Sequence, residues 1–240
     1  MEANLKKLLQ DGAAEFGIKL DETAISGFDL FMAELLEYNK VINLTKITEP
    51  EEIVIKHYLD SLSLLRCTQL PQGASLVDVG CGAGFPGIPL KLVRGDIRLT
   101  SIDSLNKRIK FLEGAVASLG LKQCACFHLR AEEACRKQEL RGTFDVVTAR
   151  AVAGLSTLVE ICLPLLKTGG VFLAMKGPNA SHEAEEAKNA IALLGGRLED
   201  IREFTLPGSD IGRTVIVIRK FLVTKDIYPR QTARISKNPL

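Results

Sequence analysis

The chain has 240 residues, 46% of them hydrophobic and 5% aromatic, with no Trp and a formal net charge of +2. That is enough apolar material for one large core, but no apolar run is long enough to span a bilayer, and Met1-Glu2-Ala3-Asn4-Leu5-Lys6-Lys7 lacks a secretory signal's apolar segment. Six scattered cysteines (Cys67, Cys81, Cys124, Cys126, Cys135 and Cys162) form neither a disulfide framework nor a paired zinc motif, which predicts free thiols, a cytoplasmic location and no metal.

The first 66 residues read as helical. Leucines at helical spacing predict a helix from Asn4 to Phe16. Asp21-Glu22-Thr23 opens a second, reaching about Asn39, with Ile25, Phe28, Met32 and Leu35 on one face. Glu49-Pro50-Glu51-Glu52 has the proline and acids of a helix start and predicts a third helix to Arg66.

From Ala74 the rhythm becomes strand then helix. Candidate strands are Ser75–Val79, Arg98–Asp103, Cys124–Leu129, Phe144–Thr148, Val171–Lys176, Leu198–Thr205 and Thr214–Phe221. Helical patterns between the first six imply βαβ units and a parallel sheet. The last two are joined by Leu206–Gly212, too short for a helical crossover, so the last strand should run antiparallel. The expected class is α/β: a Rossmann-like methyltransferase sheet of six parallel strands and one antiparallel strand. Residues 1–70 form a helical extension on it, and residues 71–240 the sheet domain with its basic tail. Nothing suggests an obligate dimer, so a monomer is expected.

The first strand runs into Asp78-Val79-Gly80-Cys81-Gly82-Ala83-Gly84-Phe85-Pro86-Gly87. Glycines there let backbone approach a ligand that a Cβ would push away. Gly82 to Gly87 is a literal G-x-G-x-x-G, which suits a dinucleotide. Pro86, however, sits where that fingerprint expects the first turn of a pyrophosphate-binding helix. Counted from the strand end, the loop is Gly80-x-Gly82-x-Gly84 behind an acid, which suits S-adenosylmethionine. Asp103, ending the second strand, would accept from ribose hydroxyls in either case. Ala131 and Glu132 follow the third strand, where adenine would lie. Leu165-Leu166-Lys167-Thr168-Gly169-Gly170 before a strand is frequent in methyltransferases and has no role with NAD. The balance favours the methyl donor.

His57, His128 and His182 lie in separate elements, and His57, Asp60 and Ser61 resemble a triad only in composition. No Asn/Asp-Pro-Pro-Tyr/Phe run and no cysteine nucleophile for pyrimidine carbon-5 is present. The acceptor should therefore need neither covalent catalysis nor a strong base, and a ring nitrogen fits. Transfer then depends on alignment, which can supply roughly 7–11 kcal/mol of a barrier. Arg150 follows a buried strand, where it could serve a ligand or a structural ion pair. Between Arg213 and Leu240 seven basic residues face one acid, Asp226, for a local charge of +6. That suggests a phosphate-rich partner and makes Arg213, Arg230 and Arg234 candidate RNA contacts.

At the level of motifs the chain resembles the RsmG (GidB) family of small-subunit ribosomal RNA guanine-N7 methyltransferases. The marks are Asn43-Leu44-Thr45, His57-Tyr58-Leu59-Asp60-Ser61-Leu62, the Gly-Phe-Pro-Gly end of the glycine loop, Arg130-Ala131-Glu132, Ala149-Arg150-Ala151-Val152-Ala153, Met175-Lys176-Gly177 and Tyr228-Pro229-Arg230. The resemblance implies methyl transfer from S-adenosyl-L-methionine to N7 of one guanosine in 16S ribosomal RNA, on the small subunit or its precursor. It implies that Gly80 and Phe85, with Gly82 and Gly84 of the same loop, line the cofactor. Asp103 would hold the ribose, Ala131 and Glu132 would flank adenine, and Arg150 would touch cofactor or acceptor. Asn43, His57 and Lys176, with Arg150, become candidates for the acceptor site, and Lys107 for the RNA-facing rim. A small-molecule methyltransferase and a non-catalytic RNA-binding relative are the alternatives.

Overall fold

The computed structural model describes all 240 residues. Its centre is a seven-stranded sheet: β1 (Ser75–Val79), β2 (Arg98–Asp103), β3 (Cys124–His128), β4 (Phe144–Arg150), β5 (Leu166–Lys176), β6 (Gly196–Thr205) and β7 (Gly212–Lys220). The order is β3-β2-β1-β4-β5-β7-β6. β7 runs antiparallel to both neighbours and the other six strands are parallel, as the short β6–β7 connection requires. The chain leaves β1 toward β2 and β3, then returns to place β4 on the other side of β1. That reversal opens a crevice between the carboxyl ends of β1 and β4.

Strand side chains alternate between two cores. Leu76, Val146, Leu173 and Val217 join one, and Val77, Val147, Phe172 and Ile216 the other. The first core contains residues of α1 (Ala3–Glu15), α2 (Glu22–Ile42), α3 (Pro50–Ile53), a π-helical turn (Val54–Leu59), α4 (Asp60–Leu62), α5 (Leu64–Cys67), α6 (Gly87–Val93) and α7 (Asn106–Ser118). The second lies under α8 (Ala131–Ala134), α9 (Leu155–Cys162), a 3₁₀ turn (Leu163–Leu165), α10 (Ser181–Glu186), α11 (Lys188–Leu193) and α12 (Thr232–Lys237).

Strands β3, β6 and β7 shift by one or two residues at their ends, and three larger differences from the sequence expectation bear on the site. The third helix is not continuous: its middle is the wide π turn, in which the Lys56 carbonyl accepts from Arg150 Nη1 at 3.0 Å. β4 continues to Arg150, so that residue ends the strand rather than following it. β5 begins at Leu166 and absorbs Lys167–Gly170 as an irregularity opposite Phe144–Val146; a Cβ on Gly170 would lie 2.9 Å from the Asp145 carbonyl.

Candidate active site

The glycine loop leaves β1 with Gly80, Gly82 and Gly84 all in the left-handed region, at φ +68°, +57° and +95°. The three do different things. A Cβ on Gly84 would press on Leu112, Ile88 and Phe31 at 2.7–3.4 Å, so Gly84 lets the loop pack on helices. A Cβ on Gly80 would meet the Val152 side chain at 2.6 Å. Only at Gly82 does the missing Cβ face open space. Buried Asp78 accepts from the Gly87 amide at 2.9 Å and fixes the entry to α6 behind the loop. Desolvation pushes its carboxyl up to about 7, against the hydrogen bond from Gly87.

Asp103 ends β2 beside this loop. Its carboxylate accepts from the Gly82 amide at 2.9 Å, the Leu105 amide at 2.8 Å and Arg108 Nη1 at 3.1 Å. A carboxylate has about four acceptor positions, so room for one further hydroxyl remains. Arg108 Nε is the one buried side-chain polar atom without a hydrogen-bond partner. Ala131 and Glu132 open α8, just past the end of β3, the strand paired with β2. Glu133, rather than Glu132, binds back to the Arg130 amide at 3.0 Å, which leaves Glu132 free. An open glycine, an acid with spare capacity and an orphaned donor together fit an adenosyl group with its amino-acid half.

Beside the cradle, at the ends of β4 and β5 and the start of β7, lies a cavity of about 430 Å³. Lys56, His57, Asp60, Arg150, Lys176 and Arg213 line it, with four cations against one carboxylate. Asp60 Oδ2 accepts from Arg150 Nη1 at 3.0 Å and Oδ1 from Arg213 Nε at 2.9 Å. The His57 ring is buried and stacks on Phe85 with centroids 4.3 Å apart and planes 19° apart. Its Nε2 lies 3.0 Å from Thr45 Oγ1 and its Nδ1 lies 3.2 Å from Arg150 Nη2. Burial first, then the Arg150 charge, pushes His57 down to about 3, so the ring is neutral. The same Nδ1 also lies 3.1 Å from the Lys56 carbonyl, so a donor and an acceptor compete for that nitrogen: Arg150 favours it bare and Lys56 favours it protonated.

A family description, rRNA small subunit methyltransferase G, matches residues 24–211. The chain belongs to that family. Proteins named ribosomal RNA small subunit methyltransferase G from Acetivibrio thermocellus and Lactobacillus johnsonii are 47% and 46% identical to it. The alignments cover 100% and 95% of this chain and 98% and 96% of those proteins. Among solved structures, TrmN from Thermus thermophilus superposes with a TM-score of 0.53 at 19% identity, over 68% of this chain and 48% of that one. A SAM-dependent O-methyltransferase from Thermotoga maritima gives 0.52 at 14% identity, over 80% and 73%. Those two likenesses show the methyltransferase fold.

Against that family background, the fold gathers Arg150, His57, Lys176 and Arg213 around one cavity and Gly80, Gly82, Asp103, Ala131 and Glu132 around the neighbouring cradle. Other expectations need correction. Phe85 is 4% exposed; its ring is enclosed by His57, Phe31, Tyr58 and the Arg150 guanidinium and ties the loop to the N-terminal helices, which leaves its backbone as the part that would line the cradle. Gly84 serves packing, as above. Asn43 is exposed, closes α2 at φ +47° and stays outside the cavity. Lys176 Nζ donates to the Ala153 carbonyl at 2.7 Å and Glu183 at 2.8 Å, which clamps the loop after Arg150. Arg230 forks onto the fully buried Glu160, with Nη2 at 2.7 Å, and anchors the tail. Lys107 and Arg234 are exposed without carboxylate partners. Asp60, Lys56 and Thr45 escaped sequence reasoning as site residues. The signal for Asp60 was a charge set among Ile53, Val54, Ile55, Leu59, Leu62 and Leu64, where a buried acid needs a cation.

Proposed function

We propose that the protein transfers a methyl group from S-adenosyl-L-methionine to N7 of one guanosine in 16S ribosomal RNA, on the small subunit or its precursor. The observation that carries this reading is the adjacency of two unlike sites across Arg150: a glycine cradle with a ribose-type acid, and a cationic cavity. When bound, the cofactor supplies a methyl group activated on a sulfonium. Gly82 leaves it backbone room, and Asp103 offers an acceptor to a ribose hydroxyl. Ala131 and Glu132 stand where adenine would lie. Arg150, Lys56 and Arg213 hold the nucleotide and its phosphates at the cavity. Guanine N7 has a free lone pair, so no base has to remove a proton, which agrees with a site whose only histidine is neutral. A base held in folded RNA must be unstacked to enter.

Residues 1–70 act in this reading as an extension that walls the entrance through Thr45, His57 and Asp60, while residues 71–240 carry the cofactor. A cytoplasmic monomer is part of the same proposal. What supports the cytoplasmic part is that all six cysteines are free. The test is transfer of labelled methyl to small subunits lacking native methylation, followed by nucleoside digestion and mass analysis. A 7-methylguanosine peak is expected. Label in another nucleoside would refute the acceptor atom, and intact cofactor binding without RNA label would refute the acceptor class.

A further inference from the structure

We propose that Asp60 is a positioning residue for the transfer, one buried carboxylate that holds Arg150 and Arg213 as paired forks on the wall of the acceptor cavity. This rests on the proposed function and adds to it a residue that touches neither methyl donor nor base. Asp60 is 3% exposed. Its two oxygens are divided between the guanidiniums, Oδ1 to Arg213 Nε and Oδ2 to Arg150 Nη1. Each guanidinium has a second fix on backbone, Arg150 on the Lys56 carbonyl and Arg213 on the Gly212 carbonyl, both at 3.0 Å. The arginines lie 90 and 153 residues beyond Asp60 in the chain, so the triad closes only when the π turn, the end of β4 and the start of β7 meet.

One cation would suffice to neutralise a buried acid, and the second is surplus to that need. Nor are the forks saturated by the protein. Arg150 Nε and Arg213 Nη2 have no protein acceptor, and the only buried unpartnered polar atom in the molecule is on Arg108, so these N–H groups are open to a ligand. The planar fork suits a phosphate or a guanine carbonyl oxygen.

The chemistry explains why a carboxylate should stand behind them. In the transfer the N7 lone pair bonds the methyl carbon. The carbon–sulfur bond breaks with its electron pair left on sulfur, and no proton moves. Positive charge passes from the sulfonium to the purine. Bare guanidiniums would oppose that charge. Asp60 keeps two directed donors at the cavity while lowering its charge, and neutral His57 adds none.

The test uses the full-length protein, unmethylated small subunits and S-adenosylmethionine, with Asp60→Asn, Arg213→Met and the double variant. Expected for Asp60→Asn is a kcat lowered about tenfold or more, with the calorimetric cofactor Kd moved less than about threefold. The double variant should match the worse single one within about threefold, because the residues act as a unit. In nitrogen-15 NMR the Arg213 Nε–H signal should exchange slowly in the wild type and vanish in Asp60→Asn. Losses that multiply, or an effect confined to thermal stability, would overturn the proposal. If Asp60→Asn does not fold, Arg213→Met carries the test, and wild-type kcat in it overturns the proposal too. If the wild type makes no 7-methylguanosine, the functional reading has failed; the positioning then stands or falls on the Arg213 signal, and its survival in Asp60→Asn overturns it.

Discussion

At the residue scale, three glycines that look alike in sequence separate by what a Cβ would meet. Gly82→Ala points a methyl into the cradle and forces an alanine to φ +57°. It should cost roughly 1–2 kcal/mol of stability and weaken cofactor binding about tenfold, or about 1.4 kcal/mol. Gly84→Ala meets Leu112 and Ile88 at 2.7 and 2.8 Å. It should cost about 2–3 kcal/mol of stability, with cofactor affinity in the folded fraction little changed. Calorimetry beside denaturant unfolding separates the two, and equal affinity losses would refute the division. His57 offers a pH test. Its folded pKa of about 3 lies below the ordinary value of 6.5, so between those values the unfolded chain binds the extra proton. Stability from this group is complete above pH 6.5 and is lost as pH falls toward 3. The His57 ring resonances should not titrate between about pH 5 and 8, and His57→Gln should flatten the acid limb of the stability curve. Sequence could name His57 and Arg150 but not their contact, because 93 residues separate them and only the fold closes that distance.

At the scale of elements, strands were the most legible. β1 and β2 match the sequence bounds residue for residue, because a buried apolar run stopped by glycine or an acid is a local signal. The third helix was not legible as built. Its apolar residues surround the axis, and the partners its π turn meets, Phe85 on His57 and Arg150 on the Lys56 carbonyl, arrive from elsewhere in the chain. The tail was misread for a related reason: a charge count cannot see partners. Arg230, taken for an RNA contact, forks onto Glu160, and Arg141 donates to the Tyr228 and Thr224 carbonyls at 2.9 Å. Arg230→Ala leaves a buried carboxylate unpaired and should cost about 3–5 kcal/mol of stability. The melting temperature should fall on the order of 10 °C. RNA affinity of the folded protein should be unchanged; a variant that melts normally but binds RNA weakly would restore the original assignment.

At the scale of the whole molecule, the basic C-terminal segment dissolves into separate duties. Arg213 belongs to the cavity, Arg219 pairs with Glu199 at 2.6 Å, Lys220 is buried and Arg230 is an anchor. Lys225, Arg234 and Lys237 remain exposed and unpaired. β7 carries the chain away from the cavity, about 27 Å at strand rise, before the tail is anchored on α9 through Arg230 and Glu160 and packs α12, with Arg234 and Lys237, against α9. Lys107, by contrast, stands in the first turn of α7, directly beyond Asp103 at the ligand-bearing edge. Geometry therefore ranks the candidates in the reverse of their order by local charge density. Removing a phosphate contact should lower the slope of log affinity against log salt by about 0.7–0.9. Lys107→Ala should show that decrease with small subunits as ligand, measured across a salt series, and Arg234→Ala should not. The same decrease in both variants would mean that the RNA wraps from the cavity edge across the α9 face to α12. A decrease in Arg234→Ala alone would place the principal RNA track on the tail and leave the cavity to the single unstacked base.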